Sequence, residues 1–218
     1  MAAFADRIEA GRALAGRLER YRGTGAQILG MARGGVMVGL GAADMLGLPL
    51  RALVVRKLGA PHNPELAIGA VSETGQLWVD RGLVLATGAT EPYLQSEIAR
   101  QVEEARRREA EYAAASPNTS LAGATCIVAD DGIATGASAL VGVRSARDLG
   151  AAQVVLATPV ASPQAVSALR PEVEEMVVLA TPDPFVAVGL YYTNFEQTTD
   201  EEVIRALREA NSRAKAEP

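Results

Sequence analysis

The chain has 218 residues, enough for one ordinary α/β domain with a full core or at most two small ones, and its 49% hydrophobic and 22% charged residues make a globular rather than a disordered balance. A formal net charge of −5 argues against broad nucleic-acid binding, and no apolar run reaches the length that spans a membrane. The single cysteine, Cys126, allows no internal disulfide, which fits a reducing compartment and a cytoplasmic location.

Phe4–Tyr21 carries apolar residues at Phe4, Ile8, Leu14 and Leu18 among charges, the pattern of an amphipathic helix. Asp6, Glu9 and Glu19 speak for a structural helix rather than a transit peptide. Ala26–Met31 then reads as a short apolar strand, followed by Ala32-Arg33-Gly34-Gly35. Val36–Leu46 is apolar almost all round and predicts a buried helix that stops at Gly47 and Pro49. Leu50–Val55 reads as the next strand, closing on Arg56-Lys57. Strand, helix, strand is the repeating unit of a parallel sheet.

Leu58–Leu66 contains Gly59, Pro61, Asn63 and Pro64 and predicts a mobile loop. Ala67–Ser72 and Gln76–Val79 read as a β-hairpin turning at Glu73-Thr74-Gly75, with Leu83–Ala86 as a third run extending it. Thr90 caps a long polar helix that continues to about Ala115, with Pro92 in its first turn, and Ser116-Pro117-Asn118 ends it. Arg106-Arg107-Arg108 is read as part of its solvated face, since Glu103, Glu104, Glu109 and Glu111 surround it.

Thr125–Ser138 is the stretch richest in chemistry. A buried-strand run, Cys126-Ile127-Val128-Ala129, ends on the adjacent carboxylates Asp130 and Asp131. Gly132-Ile133-Ala134-Thr135-Gly136-Ala137-Ser138 follows, small and hydroxyl-bearing, and leads into a helix over Ala139–Leu149. Such a turn aims backbone N–H groups and the positive helix end at one spot, which suits phosphate. The acid pair beside it suits sugar hydroxyls or a metal ion. A P-loop is excluded by the missing Gly-Lys-Thr/Ser ending, and no Gly-x-Gly-x-x-Gly follows a strand.

Gln153–Ala157 and Glu175–Ala180 predict further strands on either side of a helix around Pro163–Leu169, and Thr181-Pro182-Asp183-Pro184 a turn. Phe185–Phe195 gathers four aromatics. A helix capped at Thr199 closes the chain, with Ala214–Pro218 expected to fray. No repeat or linker calls for a second domain, so residues 1–218 are expected to form one domain, with a core over about 22–182 and a tail over about 183–218 that goes with the N-terminal helix.

Val128–Ser138, with its apolar strand, two acids, Gly, two variable residues and Thr-Gly-x-Ser, resembles the signature of the type I phosphoribosyltransferases. Met31-Ala32-Arg33-Gly34-Gly35-Val36 stands where that family has its pyrophosphate loop, and the hairpin, long helix and aromatic tail follow in family order. The resemblance covers roughly Ala26 to Phe195. It implies a parallel sheet flanked by helices, with a small hood built from the C-terminal and N-terminal segments and a β-hairpin bearing a mobile loop.

It also implies roles. Asp130 and Asp131 would take the ribose hydroxyls of phosphoribosyl diphosphate (PRPP), and the backbone of Gly132, Ile133, Ala134, Thr135, Gly136, Ala137 and Ser138 its 5′-phosphate. Arg33 and Gly34 would hold pyrophosphate, at a peptide bond that is often cis in the family. Arg56 and Lys57 would neutralise it, across a homodimer interface in related enzymes. Leu58–Leu66 takes the place of a closing lid, with His62, Asn63 and Glu65 as its polar residues. Phe185 matches the hood aromatic that stacks on the base. Mg²⁺ would be held mainly by PRPP, with Asp130 and Asp131 able to join. Pro184 stands where purine-salvage members have Lys, and Thr158-Pro159-Val160 shows no match for their purine-reading Lys, which leaves the base open between purine and pyrimidine. The implied activity is Mg²⁺-dependent transfer of 5-phosphoribose to a nitrogenous base. The rival is a PRPP- or nucleotide-sensing regulator of the same fold.

Overall fold

The computed structural model describes residues 3–117 and 119–214; residues 1–2, Asn118 and 215–218 lie outside the described residues, and with them part of the expected helix stop at 116–118 and most of the expected fraying over 214–218. A parallel five-stranded sheet runs in the order β2-β1-β6-β7-β8, with β1 over Gln27–Met31, β2 over Leu50–Leu53, β6 over Thr125–Ala129, β7 over Gln153–Val160 and β8 over Glu175–Ala180. A smaller antiparallel sheet, β3-β4-β5, comprises Val55–Ala60, Asn63–Ser72 and Leu77–Val79.

The strands of the parallel sheet read as continuous apolar runs because both faces are covered. Ile28, Ile127 and Val155 point into a core built on α1 (Arg7–Ala15), α2 (Gly34–Leu46) and α7 (Asp200–Ala214). Their neighbours Leu29, Val128 and Leu156 point into the opposite core, against α5 (Ala137–Asp148) and α6 (Pro163–Leu169). A third cluster seats Leu58, Ile68 and Val71 of the small sheet on Leu94 of α4 (Glu91–Ala113). The buried amide of Asn211 pins α7 to the sheet edge: it bonds both the N–H and the carbonyl of Leu50, at 3.0 and 2.9 Å.

Four expectations change. Leu58–Leu66 is not a loop: β3 and β4 run through it and leave only Pro61-His62 at the tip, with His62 at φ 63°. Gly59 and Pro64 look like breakers in sequence, yet both lie within the hairpin, Gly59 pairing with Ala67 where the register shifts on either side of it. A Cβ on Gly59 would come 2.9 Å from the Pro64 Cα, so the missing side chain is what lets the irregular pairing close. Leu83–Ala86 is not a strand but lies in the helix α3 (Arg81–Thr87), whose N-terminus is capped by the Asp80 carboxylate on the Leu83 amide. The strand expected over Leu50–Val55 is broken at Val54, where the chain leaves the parallel sheet; Arg56 and Lys57 therefore sit within β3 rather than at a loop mouth. The N-terminal helix is shorter than expected, α1 being followed by a separate 3-10 turn at Glu19–Tyr21.

Thr90 and Thr199 cap their helices as expected. The Thr199 hydroxyl accepts from the Glu202 amide at 3.2 Å while the Glu202 carboxylate accepts from the Thr199 amide at 2.8 Å. Arg107 faces solvent with Glu104 and Glu111, but Arg108 is only 17% exposed and reaches Asp200 of α7 at 3.6 Å. The N-terminal segment is laid against the tail: the Phe4 amide donates to the Tyr191 carbonyl, and the Thr193 amide to the Phe4 carbonyl. No helix among the described residues is long and apolar enough to cross a membrane.

Candidate active site

The sheet order reverses between β1 and β6. From β1 the chain passes through α2 to β2 on one side, and from β6 through α5 to β7 on the other. The carboxyl ends of these two strands therefore diverge and leave a crevice, the usual ligand position in an open α/β sheet. A cavity of about 380 Å³ lies there.

One wall is the strand end itself. The Asp130 amide is fixed on the Ala157 carbonyl at 3.1 Å, and the Asp131 amide donates to Oδ1 of Asp130 at 2.9 Å. Burial pushes the Asp130 carboxyl well above the ordinary carboxylate range, and the neighbouring Asp131 adds to the rise. The floor is the turn that follows. Ile133 bonds to Val160 and Ser162 at 2.9 Å each, and the Ser162 hydroxyl donates to the Ala134 carbonyl at 2.6 Å. The β7 end thus holds the turn in shape. Gly136, at φ 88°, starts α5, and no side chain caps that helix. Its first amides are left for a ligand, and phosphate is the natural one.

The opposite wall is the turn after β1, where Arg33 and Gly34 line the cavity together with Lys57 of β3. The cis bond here is Ala32–Arg33, one residue before the Arg33–Gly34 bond to which the family resemblance drew attention; Asp183–Pro184 is also cis. On the hood side the wall is Val188 and Phe195.

A second cavity, of about 560 Å³, adjoins this one across Arg33 and Lys57. Arg56, Arg100 and Arg108 line it, with Glu65 and Glu97. Arg100 is matched by Glu97 at 2.8 Å and Arg108 by Glu104 at 2.7 Å, whereas the Arg56 Nε donates to the neutral Gln101 side chain at 3.0 Å. Burial first, and Arg108 next, lower the Arg56 pKa.

A phosphate-shaped turn, an acid pair and a cationic wall thus meet around one crevice. A family model described as the phosphoribosyl transferase domain matches residues 4–189. The chain belongs to that family. Two relatives, from two strains of Mycobacterium tuberculosis and each named "putative phosphoribosyl transferase", are 41% identical over 211 residues, 97% of this chain and 48% of theirs. The chain thus spans about half the length of the curated relatives it matches. The crystal structure of TT1426 from Thermus thermophilus shares 41% identity at a TM-score of 0.77, over 96% of this chain and 99% of that one. A Neisseria gonorrhoeae protein solved with bound ppGpp shares the fold alone, at 15% identity and a TM-score of 0.50 over 96% of each chain. The architecture is the type I phosphoribosyltransferase fold.

Within this phosphoribosyltransferase fold, the structure brings Asp130, Asp131, Gly132, Ile133, Ala134, Thr135, Gly136, Ser138, Arg33, Gly34 and Lys57 to one cavity. It does not bring Arg56 or Glu65 there; both line the second cavity. Ala137 lies in the first turn of α5, outside the lining, and His62 and Asn63 stand at the hairpin tip, lining neither cavity. Phe185 stacks on Tyr191 with ring centroids 5.8 Å apart and lines neither cavity; Phe195 takes the cavity wall instead.

Three neighbours of the acids went unread in the sequence. Arg7 of α1 donates from Nε to Oδ2 of Asp131 at 2.7 Å, the Tyr192 hydroxyl donates to the Asp131 carbonyl at 2.5 Å, and Phe195 stacks on Tyr192 at 5.0 Å. Arg7 carries no local signal, since it looks like one charge among several on an amphipathic helix. The aromatic density of the tail was a signal, but it did not say which ring faces inward.

The acid pair also bears on Mg²⁺. Among the described residues no group of three or more His, Cys, Asp or Glu side chains gathers as a metal site. Asp130 and Asp131 supply hard oxygen donors that suit such a cation, provided that a bound diphosphate completes its shell. The residues fit a cation carried in by its ligand rather than one caged by protein.

Proposed function

We propose that the protein transfers the 5-phosphoribosyl group of PRPP to a nitrogenous base, purine or pyrimidine, and releases pyrophosphate, with Mg²⁺ bound alongside PRPP. The observation that carries this is the meeting of Asp130-Asp131 and the uncapped start of α5 with Arg33-Gly34 across one 380 Å³ cavity. In the transfer, the bond from the anomeric carbon to the pyrophosphate oxygen breaks with its electron pair leaving on pyrophosphate, a bond to the base nitrogen forms, and the proton displaced from that nitrogen passes to pyrophosphate or solvent. The amides of the turn from Gly132 and the start of α5 would fix the 5′-phosphate. Asp130 and Asp131 would accept the ribose hydroxyls, which orients the ring and places carboxylate charge near the cationic sugar of the transition state. Arg33 and Lys57 would hold the departing pyrophosphate. Mg²⁺, when bound, supplies charge for the diphosphate oxygens. Val188 and Phe195 offer the base an apolar wall.

The experiment is a calorimetric titration of PRPP with and without Mg²⁺, followed by a screen of purine and pyrimidine bases for pyrophosphate release. We expect Mg²⁺-dependent PRPP binding and turnover on at least one base. No PRPP binding would end the proposal. Binding without turnover on any base would turn it toward a sensor of PRPP.

A further inference from the structure

Arg7 sits at the first position of α1, far in sequence from the acid pair, yet its guanidinium is tied to the site on three sides. Nε donates to Oδ2 of Asp131 at 2.7 Å, Nη1 donates to the Glu196 carbonyl at 2.8 Å, and the guanidinium carbon lies 3.9 Å from the centre of the Phe195 ring. The two charged side chains are 12% and 19% exposed, so this is not a solvent-screened surface pair. Gly34 closes the remaining side: a Cβ there would lie 2.9 Å from the Arg7 Nε.

The consequence lies in which oxygen is left over. Arg7 takes Oδ2 of Asp131, while Oδ1 has no protein partner among the described residues and belongs to a cavity-lining side chain. Two adjacent carboxylates in a buried crevice repel each other, and an untethered Asp131 would relieve that repulsion by turning away. A planar guanidinium held by a carbonyl and a ring cannot follow it. We infer that Arg7 is a positioning residue: it keeps Asp131 a fixed acceptor, with one oxygen committed and the other presented to a ribose hydroxyl. This rests on the phosphoribosyl reading of the cavity proposed above.

The test compares ribose 5-phosphate with 2,3-dideoxyribose 5-phosphate, which has the same phosphate but no hydroxyls for the acids. Dissociation constants are measured by calorimetry on the full chain. The wild type should prefer ribose 5-phosphate, and Arg7→Gln should lower that preference about tenfold, the scale of one charge-assisted hydrogen bond, with little change for the dideoxy ligand. An unchanged preference in Arg7→Gln overturns the inference. So does an equal loss for both ligands, which would mean that Arg7 only supports the fold. A wild type without any preference fails differently, since it removes the ribose-binding role of Asp130 and Asp131 itself. Should thermal unfolding show Arg7→Gln to be misfolded, Arg7→Lys takes its place. It keeps a cation but lacks the planar fork, so the preference should still fall, and an unchanged ratio overturns the inference in the same way.

Discussion

Gly34 packs so tightly against Asp131 that a methyl group on its Cα would overlap Oδ2 of that carboxylate. The turn after β1 and the end of β6 are thus fitted to each other before any ligand arrives. A side chain at position 34 has to move an acid that Arg7 already holds. We expect Gly34→Ala to weaken PRPP binding by about a hundredfold in calorimetry, an effect on the scale of displacing one charged contact. Gly34 opens α2, where Ala is the better helix former. The melting temperature should therefore change little, and a large drop would place the defect in folding instead.

The acid pair makes a sharper contrast between stability and binding. Asp130 is a buried carboxyl beside a second one, an arrangement that costs stability whenever both are charged. Asp130→Asn together with Asp131→Asn should abolish measurable PRPP binding while leaving the melting temperature close to that of the wild type. Losing Asp131 also frees Arg7, so a small decrease is compatible with this. Retained PRPP affinity would remove these residues from the site.

Much of this was legible in the sequence because it is local. Cys126–Ser138 specifies strand, acids, turn and helix start within one segment, and the structure keeps each in place. Local patterns failed where a partner from elsewhere decided the outcome. Gly59 and Pro64 are turn formers in isolation, but they were drawn into β3 and β4 because Leu58 and Ile68 are buried on Leu94 of α4. Leu83–Ala86 is short and apolar enough for a strand, and only the Asp80 cap betrays the helix. Arg7 was invisible as a site residue because its charged and aromatic partners, Asp131 and Phe195, come from distant parts of the chain.

The hood offers a test between two rings. By family resemblance Phe185 is the stacking aromatic, whereas the structure packs it on Tyr191 and puts Phe195 with Val188 on the cavity. We expect Phe195→Leu to raise the KM for the accepted base several-fold, with Phe185→Ala raising it less and leaving the Kd for PRPP within about twofold; loss of an aromatic contact is worth about 0.5–1.5 kcal/mol. The reverse order would return the stacking role to Phe185.

The last prediction concerns pH and lies away from the cavity. Glu73, at the turn between β4 and β5, has a buried Oε2 without a hydrogen-bond partner. Burial is the main cause that raises its pKa from 4.5 to about 7, with the nearby Glu109 adding to the rise while its own amide, Arg51 and the Val54 amide oppose it. The folded state then binds more protons than the unfolded chain between pH 4.5 and about 7. Stability contributed by the protonated form is therefore complete at the acid end of that window and lost as pH rises through 7. Glu73→Gln, which keeps the shape and never ionises, should be more stable than the wild type at pH 8, by on the order of 1–3 kcal/mol, and nearly equal to it at pH 5. Urea unfolding of both proteins at the two pH values measures this directly. Asp130 titrates upward as well, but it does so in both proteins, so the difference between them isolates Glu73. A difference that is the same at pH 5 and pH 8 would show that Glu73 is charged in the folded protein throughout.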